Sequence, residues 1–373
     1  MTPFSLPTLQ MKPLKTLSPS RFVRMKACTL REIWAAGKQP PLLPSSPHAH
    51  LGTVIHRFWE EVWKGRIGDR EMIALWQHLI DREQKTMRAT WLEEHLAPLQ
   101  NALPDYETRR QLCFLRQWPQ PGGFTEKTTE NILTGPEKPV WDGDTPESSE
   151  VYGLIDLVTA DGDDYTIVDE KTGAVLTETG NVKEEYQLQL RLYAALFERR
   201  SGIWPTRLIV RDLLQRSHSV TFTSQECSQL LSEAQQMLRD TNKHILQGAT
   251  AEDLAAPAPD ECRYCGYRPA CPAYWKARHT GGEWPHDVRG TISEAPFTQR
   301  NGNLRVVIGG AEKDIAVCDL SRHPDVNSLR AGSTVAIYSV RPEMTHTHPR
   351  AQRPNRYEAT RMTTLYTDCT DEG

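Results

Sequence analysis

Hydrophobic positions in the first third of the chain recur with the spacing of α-helices. Apolar residues repeat every three to four positions over about 20–36 and again over about 52–118. The prolines of segment 38–50 exclude regular structure between these stretches. The pattern therefore predicts a helix, a loop and then roughly three or four more helices. An irregular, proline-rich start over 1–17 precedes them.

Beyond residue 150 the pattern becomes that of strands. A polar segment rich in glycine, proline and acidic residues covers 119–149, and the runs 151–160 and 165–171 then flank an acidic Asp-Gly-Asp-Asp turn. Two apolar runs around such a turn predict a β-hairpin. The segments predicted after it are a helix over 183–200, strands over 206–213 and 218–224, and an amphipathic helix over 225–247.

The last part of the chain, 284–373, consists mostly of short strand-like runs. About five strands with little room for a helix are typical of a small barrel of OB or SH3-like type. Exposed aromatic rings and arginines on it would bind single-stranded nucleic acid, by base stacking and phosphate neutralisation. The candidates are Tyr338, Arg341, Arg350, Arg353, Arg356 and Tyr357. The alternative is a barrel that docks a protein or is purely structural.

The composition is that of an ordinary soluble globular protein, since 38% of the 373 residues are hydrophobic and 25% are charged. No run reaches the roughly 18 consecutive apolar residues of a membrane span. The N-terminus lacks the apolar core and cleavage site of a secretion signal. We therefore expect a cytoplasmic protein without a membrane partner. The net charge of −4 gives no overall signal for nucleic acid, but a binding groove can be basic locally.

The second strand of the predicted hairpin ends in charged residues. Side chains alternate along a strand, so Asp169 and Lys171 project to one side and Glu170 to the other. Asp156, on the partner strand, can lie across from Asp169. Two carboxylates that close repel each other unless a cation such as Mg²⁺ or Mn²⁺ binds them, and a lysine there can stabilise charge on a phosphate. The alternative is a charged hairpin end on a solvated surface.

Two predicted helices add polar candidates. Gln189 and Tyr193 are four residues apart and share one helix face. Gly52 and His56 open the helix after the proline-rich loop. Alone, the first pair is explained by helix packing and His56 by an ordinary core or surface histidine.

Taken in order, these residues resemble a known family. The order is Gly52 and His56, then Gly-x-Ile-Asp ending at Asp156, then Val-Asp-x-Lys-Thr-Gly around Asp169, then Gln-Leu-x-x-Tyr ending at Tyr193. This series resembles the RecB-like nuclease family of the PD-(D/E)XK superfamily over about residues 18–275. The opening Ser-Pro-Ser-Arg, followed by Cys28, is similar too, although threonine follows Cys28 where the family usually has proline.

The resemblance implies an α/β fold, a mixed central sheet flanked by helices, over 18–283, with its helical region at 52–118 and a cysteine module at 262–271. An OB-like barrel over 284–373 follows. It further implies that His56, Asp156, Asp169 and the backbone carbonyl of Glu170 bind Mg²⁺ or Mn²⁺. Lys171 would be the catalytic lysine, and Gln189 and Tyr193 would position the DNA and that lysine. Glu130 is a candidate for an acidic position ahead of the hairpin.

Three cysteines, Cys262, Cys265 and Cys271, have the spacing C-x₂-C-x₅-C. Three thiolates on a compact loop can bind one metal centre, but zinc and iron–sulfur centres both need a fourth ligand. Cys28, Cys227 and His279 are the candidates, and spacing does not choose between the metals. The resemblance implies a [4Fe–4S] cluster held by Cys28 with the three downstream cysteines, and zinc is the alternative.

These observations predict a metal-dependent deoxyribonuclease that acts on single-stranded DNA or DNA ends. The resemblance suggests a role in DNA repair, recombination or anti-phage defence, with a helicase or another subunit as partner. One alternative is a DNA-binding or helicase-accessory protein with a nuclease fold that does not cut. Another is a zinc-stabilised interaction module in which the acidic hairpin has no catalytic role.

Overall fold

The computed structural model describes residues 6–65, 69–115, 135–278, 283–298, 304–309, 315–318, 329–344 and 352–367, together with Leu320 and Val326. Its helices are α1 (Pro19–Ala27), α2 (Thr29–Ala36), α3 (Pro47–Gly65), α4 (Asp69–Arg88), α5 (Leu99–Ala102), α6 (Tyr106–Phe114), α7 (Glu184–Ser201), α8 (Ser224–Leu246), α9 (Ala251–Leu254), α10 (Pro259–Arg263) and α11 (Pro272–Ala277). Two short 3₁₀ helices cover Glu94–Leu96 and Arg268–Ala270. None of these described helices is both long and apolar enough to cross a bilayer.

The strands form two sheets. The first contains β1 (Gly135–Trp141), β2 (Tyr152–Asp161), β3 (Asp164–Glu170), β4 (Arg207–Arg211) and β5 (Ser217–Val220), in that order. The second is a closed barrel of β6 (Val288–Thr298), β7 (Leu304–Gly309), β8 (Ile315–Cys318), β9 (Thr334–Met344) and β10 (Gln352–Thr367). The prediction of an α/β part with flanking helices followed by a small β-barrel is therefore confirmed.

The first sheet is mixed. Its β2–β3 pair is the predicted hairpin, and β3 lies parallel to β4. A parallel pair needs a long crossover, and α7 provides it. Because α7 and neighbouring elements cover this sheet, β3 is buried from Tyr165 to its end at Glu170. The carboxylate thus ends a rigid central strand.

Two features differ from the expected pattern. The single helix predicted over 20–36 is two helices, because Cys28 is extended (φ −159°, ψ 105°) and caps both α1 and α2. The polar segment over 119–149 contributes the edge strand β1, which pairs antiparallel with β2. An edge strand tolerates the two prolines of its sequence Gly-Pro-Glu-Lys-Pro-Val-Trp, since one side needs no ladder hydrogen bonds.

A buried polar network joins the cysteine segment to the barrel. Arg268 donates from Nε and an Nη to the two carboxylate oxygens of Asp287 at 2.8 and 3.1 Å. Tyr274 donates its hydroxyl to Asp287 at 2.6 Å, and the backbone amide of Ser339 on β9 donates to the same carboxylate at 2.7 Å. Asp287 is 4% exposed and Arg268 is 3% exposed. Because each buried charge is paired and hydrogen-bonded, this contact fixes the barrel against the cysteine segment.

Candidate active site

Asp156 and Asp169 meet where the hairpin ladder ends. Leu157 on β2 pairs with Val168 on β3, so the two aspartates occupy the next position on each strand. Asp156 Oδ2 accepts a hydrogen bond of 2.8 Å from the backbone amide of Glu170. Asp169 is 2% exposed, whereas Asp156 is only partly buried. The pair therefore combines an enclosed carboxylate with one that solvent or substrate can reach.

Lys171 and Gln189 enclose the Asp169 carboxylate. Lys171 Nζ lies 2.7 Å from Asp169 Oδ2, and Gln189 Nε2 donates to Asp169 Oδ1 at 3.1 Å. Lys171 Nζ also donates to Gln189 Oε1 at 3.2 Å. The three side chains thus form a closed triangle of contacts. Since α7 provides Gln189 and β3 leads directly into Lys171, two buried elements fix the geometry.

The environment of Asp169 opposes its negative charge. Burial is the largest influence and raises the pKa of Asp169, and the negative charge of Asp156 acts in the same direction. The Lys171 ammonium and, more weakly, His56 act in the opposite direction and lower this pKa. The net effect is a raised pKa, so a further cation at this position would stabilise the ionised carboxylate.

Helix α3 approaches the same strand end. His56, partly buried on this helix, is near enough for its charge to act on Asp169. One turn earlier, a Cβ added to Gly52 would lie 3.0 Å from Thr172 Oγ1. The glycine therefore permits the close approach that brings His56 to the site. Arg109 holds the same loop by donating to the backbone carbonyl of Thr172 at 3.0 Å.

Tyr193 lies behind Gln189. Gln189 Nε2 is 3.4 Å from the Tyr193 hydroxyl, which completes the polar face predicted from their spacing. A Cβ on Gly153 would come within 2.8 Å of both Pro19 and the Tyr193 ring, so this glycine gives α1 and α7 room to pack over the hairpin. Tyr193 is 6% exposed. It can position Gln189, whereas its burial keeps it from contacting a bound polymer directly.

Sequence reasoning missed Tyr186. Its ring centroid lies 5.0 Å from Lys171 Nζ, which is a cation–π contact. Burial, and then the charges of Glu185 and Asp169, raise the pKa of Tyr186 to about 12. The signal was available, since Tyr186 precedes Gln189 by three residues and shares its helix face.

Glu170 has a different environment from its neighbours. Its side chain is buried and lies 3.4 Å from an Nη of Arg211 on β4. Its backbone amide faces Asp156. This placement agrees with the alternation of side chains along β3. The Glu170 carboxylate contacts Arg211 on β4, while the Glu170 backbone amide donates to Asp156.

The donor set fits a divalent cation that is only partly held by protein. Two carboxylates and a neighbouring backbone carbonyl are hard oxygen ligands of the kind that Mg²⁺ and Mn²⁺ take. Within the described residues, no three His, Cys, Asp or Glu side chains form a group that could hold a metal ion alone. Mg²⁺ commonly binds through one or two carboxylates and completes its shell with water and phosphate oxygens. A divalent ion at the aspartate pair would be held in this way.

Comparison with protein families gives independent evidence. Residues 16–272 match the model of the PD-(D/E)XK nuclease superfamily. The chain belongs to this superfamily. The match includes the hairpin, α3, α7 and the cysteine segment, and members of the PD-(D/E)XK superfamily are generally metal-dependent nucleases. A comparison with curated proteins gives no match.

The cysteines of this PD-(D/E)XK protein come together. Cys28, at the junction of α1 and α2, lines one small cavity with Cys262, Cys265 and Cys271. Burial raises the pKa of the Cys265 thiol to about 12 and that of Cys271 to about 11. Cys227 is instead fully buried in the core between the first sheet and its helices. Of the proposed fourth ligands, Cys28 is therefore the one placed beside the other three, and His279 lies outside the described residues.

The candidate nucleic-acid residues of the barrel have other partners. Tyr338 is 0% exposed and packs near Trp275 and Tyr366, so the expectation of an exposed stacking ring is wrong here. Arg341 pairs with Glu358 at 2.7 Å and Arg356 with Glu343 at 3.0 Å, while Tyr357 packs against the barrel core. Arg350, the side chain of Arg353 and Glu130 lie outside what the structure describes.

Proposed function

We propose that this protein is a metal-dependent deoxyribonuclease that hydrolyses phosphodiester bonds in single-stranded DNA or at DNA ends. The observation that carries the proposal is the closed triangle of Asp169, Lys171 and Gln189 beside Asp156. Keeping one carboxylate buried next to another costs stability, and such arrangements are concentrated at functional sites. The superfamily membership supports the same reaction class.

Each residue of the site has a defined part in this proposal. Asp156, Asp169, the Glu170 carbonyl and His56 would hold Mg²⁺ or Mn²⁺. A bound divalent ion would lower the pKa of water and stabilise charge on the phosphate. The Lys171 ammonium would neutralise charge that develops on the phosphate oxygens. Gln189 keeps that ammonium oriented through Oε1, and Tyr193 supports Gln189 from behind.

We also propose that the four cysteines hold a [4Fe–4S] cluster. They line one cavity, and four thiols at one place suit either an iron–sulfur cluster or a tetrahedral zinc site. The resemblance to the RecB-like family is what favours the cluster over zinc. The cluster would tie the α1–α2 junction to the segment before the barrel. Its contribution would be structural, because binding energy becomes folding energy.

The strand pairing of the barrel supports assignment to the OB type. β6 pairs with both β7 and β9, β8 pairs with β7, and β10 closes the barrel against β9 and, in parallel, β8. This is a five-stranded Greek-key barrel, the architecture of OB-folds. We propose a role in DNA repair, recombination or anti-phage defence, and the resemblance of the nuclease part supports it. A helicase partner would supply the single strand.

The main alternative is a protein that binds DNA or assists a helicase without cutting. The complete set of Asp156, Asp169, Lys171 and Gln189, held in mutual contact, favours cleavage. The test is degradation of end-labelled single-stranded and duplex DNA with Mg²⁺ or Mn²⁺ by the wild type, Asp169→Asn and Asp164→Asn. Asp164 is the matched control, since it is an exposed aspartate at the other end of β3.

Cutting by the wild type and Asp164→Asn, together with inactivity of Asp169→Asn, is the expected result. Equal behaviour of all three proteins on every substrate and metal would contradict the proposal. Strands labelled at the 5′ or 3′ end give the polarity in the same experiment.

A further inference from the structure

A large groove is lined by residues of the cysteine segment and of the barrel. Its volume is about 1370 Å³, above the roughly 300–1,000 Å³ of typical small-molecule pockets. Its lining also includes the proline-rich segment 41–46, the start of α3, and Ser339, Val340, Thr360 and Met362 of β9 and β10. The size and extended lining suit a polymer better than a small metabolite.

The lining of the groove is basic. Five arginines and two glutamates contribute to it. Of the glutamates, Glu32 is already neutralised, with Oε1 3.0 Å from Arg24 Nε and 3.3 Å from Arg31 Nε. Arg263 and Arg278 donate to backbone carbonyls at 3.3 and 3.2 Å, and no carboxylate in the described part of the chain forms an ion pair with either. The Arg278 guanidinium also packs over the rings of Trp275 and Tyr274, at 4.7 and 5.6 Å from their centroids. Neither arginine has its charge neutralised by a carboxylate of the described residues, so both can bind anionic oxygens.

Aromatic side chains accompany these arginines. Tyr264 lines the groove and is 82% exposed, although burial of a tyrosine ring would be favourable. Trp284 lines the same groove. Arg263 and Tyr264 are the two residues between Cys262 and Cys265, so the cysteine loop itself presents a cation next to an exposed ring. Alternating cations and aromatic faces are the usual means of binding single-stranded nucleic acid.

The groove leads toward the active site. It reaches the first turn of α3 at Ala49. His56 follows Ala49 by seven residues, two helical turns, and therefore lies on the same face of α3 about 10 Å further along its axis. Gly52, between them, abuts the loop that follows Lys171. One face of one helix thus connects the groove with the aspartate pair.

We infer that this groove binds single-stranded DNA and leads it along α3 to the active site. Tyr264 stacks on a base, and Arg263 and Arg278 neutralise phosphates. The inference rests on the proposed nuclease function and adds the path and the contacts of its substrate. It assigns single-strand binding to the cysteine loop, whereas the sequence pattern had suggested the barrel surface. Besides stabilising the fold, the proposed cysteine centre would fix the position of Arg263 and Tyr264, which lie between two of its ligands.

Binding and cutting are measured separately. Fluorescence anisotropy with labelled oligo(dT) in EDTA reports the Kd of the full-length protein without cleavage. We expect Tyr264→Ala to weaken binding about tenfold or more, and Tyr264→Phe to bind like the wild type, because the stacking face remains. Arg263→Ala lowers the slope of log K against log salt by about 0.7. Arg199→Ala, an exposed arginine at the end of α7, is the control and leaves Kd and slope unchanged.

Cleavage of thymidine 5′-p-nitrophenyl phosphate tests the active site with a substrate too small to fill the groove. Tyr264→Ala is expected to hydrolyse it at the wild-type rate while degrading long single strands more slowly at limiting DNA.

Unchanged oligo(dT) binding in both Tyr264→Ala and Arg263→Ala overturns the inference, even if the wild type cuts. Weak binding by Tyr264→Phe, equal to that of Tyr264→Ala, overturns the stacking contact. If the groove variants lose binding but no protein cuts any substrate, the groove stands and the nuclease proposal fails.

Discussion

Lys171 Nζ lies 2.7 Å from Oδ2 of Asp169, two residues before it at the end of the same strand. Lys171 directly follows β3, and Gln189 contacts both side chains from α7. The Lys171 ammonium and the buried Asp169 carboxylate therefore neutralise each other before substrate binds. In the proposed reaction, Asp169 would help to hold the divalent ion, and the Lys171 ammonium would then be available to the phosphate.

Gln189 is expected to act as a positioning residue. Gln189→Ala removes the amide from both Asp169 and Lys171, and we expect cleavage to fall by about tenfold to a hundredfold while Kd for oligo(dT) is unchanged. Single-turnover cleavage rates test this. Gln236→Ala, on the exposed side of α8, is the matched control and cuts at the wild-type rate. A wild-type rate for Gln189→Ala would contradict the positioning role.

Asp287 is expected to be a major determinant of stability. Asp287→Ala leaves the buried guanidinium of Arg268 unpaired and removes the acceptor of Tyr274 and Ser339. Breaking a buried pair in this way costs about 3–5 kcal/mol. Urea titration measures the loss in the free energy of unfolding. Glu358→Ala breaks the exposed pair with Arg341 and is expected to cost at most about 1 kcal/mol. Equal effects of the two variants would contradict the role of the network.

His50 makes a pH-dependent contribution. Burial disfavours its charge, but a hydrogen bond to Glu83 at 2.8 Å and an ion pair with Glu93 at 3.5 Å outweigh burial and raise the pKa of His50 to about 9. A raised folded-state pKa gives stability that is present below pH 6.5 and lost as the pH passes through 9. The stability difference between wild type and His50→Gln is therefore expected to shrink by about 2–3 kcal/mol between pH 7 and 10. Denaturant titrations at several pH values measure it, and a constant difference would contradict the charged state.

The cysteine centre is tested by metal analysis. We expect the purified protein to contain iron and labile sulfide, and Cys28→Ser and Cys262→Ser to lose both and to unfold at lower denaturant. Cys227→Ala is the control and keeps the centre, because Cys227 lies in the core beneath the sheet. Stoichiometric zinc without iron would contradict the cluster.

Local rules predicted the hairpin and much of the site. Alternation along β3 separates Asp169 and Lys171 from Glu170, and helical spacing places Gln189 with Tyr193. These relationships lie within one element or between neighbouring strands. The contact of Lys171 with Gln189 is not local, and only the order of motifs suggested it.

Other features depended on tertiary packing. Strand alternation could not show that Tyr338 is buried, because the ring is covered by Trp275 from outside the barrel. β1 has the composition of a loop and is a strand because β2 offers it a free edge. Cys28 breaks the helix predicted over 20–36, and its extended backbone was not evident from periodicity. In each case an element distant in sequence determined the local structure.

The central claim is most directly tested by Lys171→Met, with cleavage and binding measured on the same labelled single strand. The substitution keeps the aliphatic part of the side chain and removes the ammonium that lies beside Asp169. We predict a loss of about a hundredfold or more in cleavage rate with Mg²⁺ and an unchanged Kd in EDTA. A variant that cuts at the wild-type rate would contradict the account, as would a wild type that cuts no DNA with either Mg²⁺ or Mn²⁺.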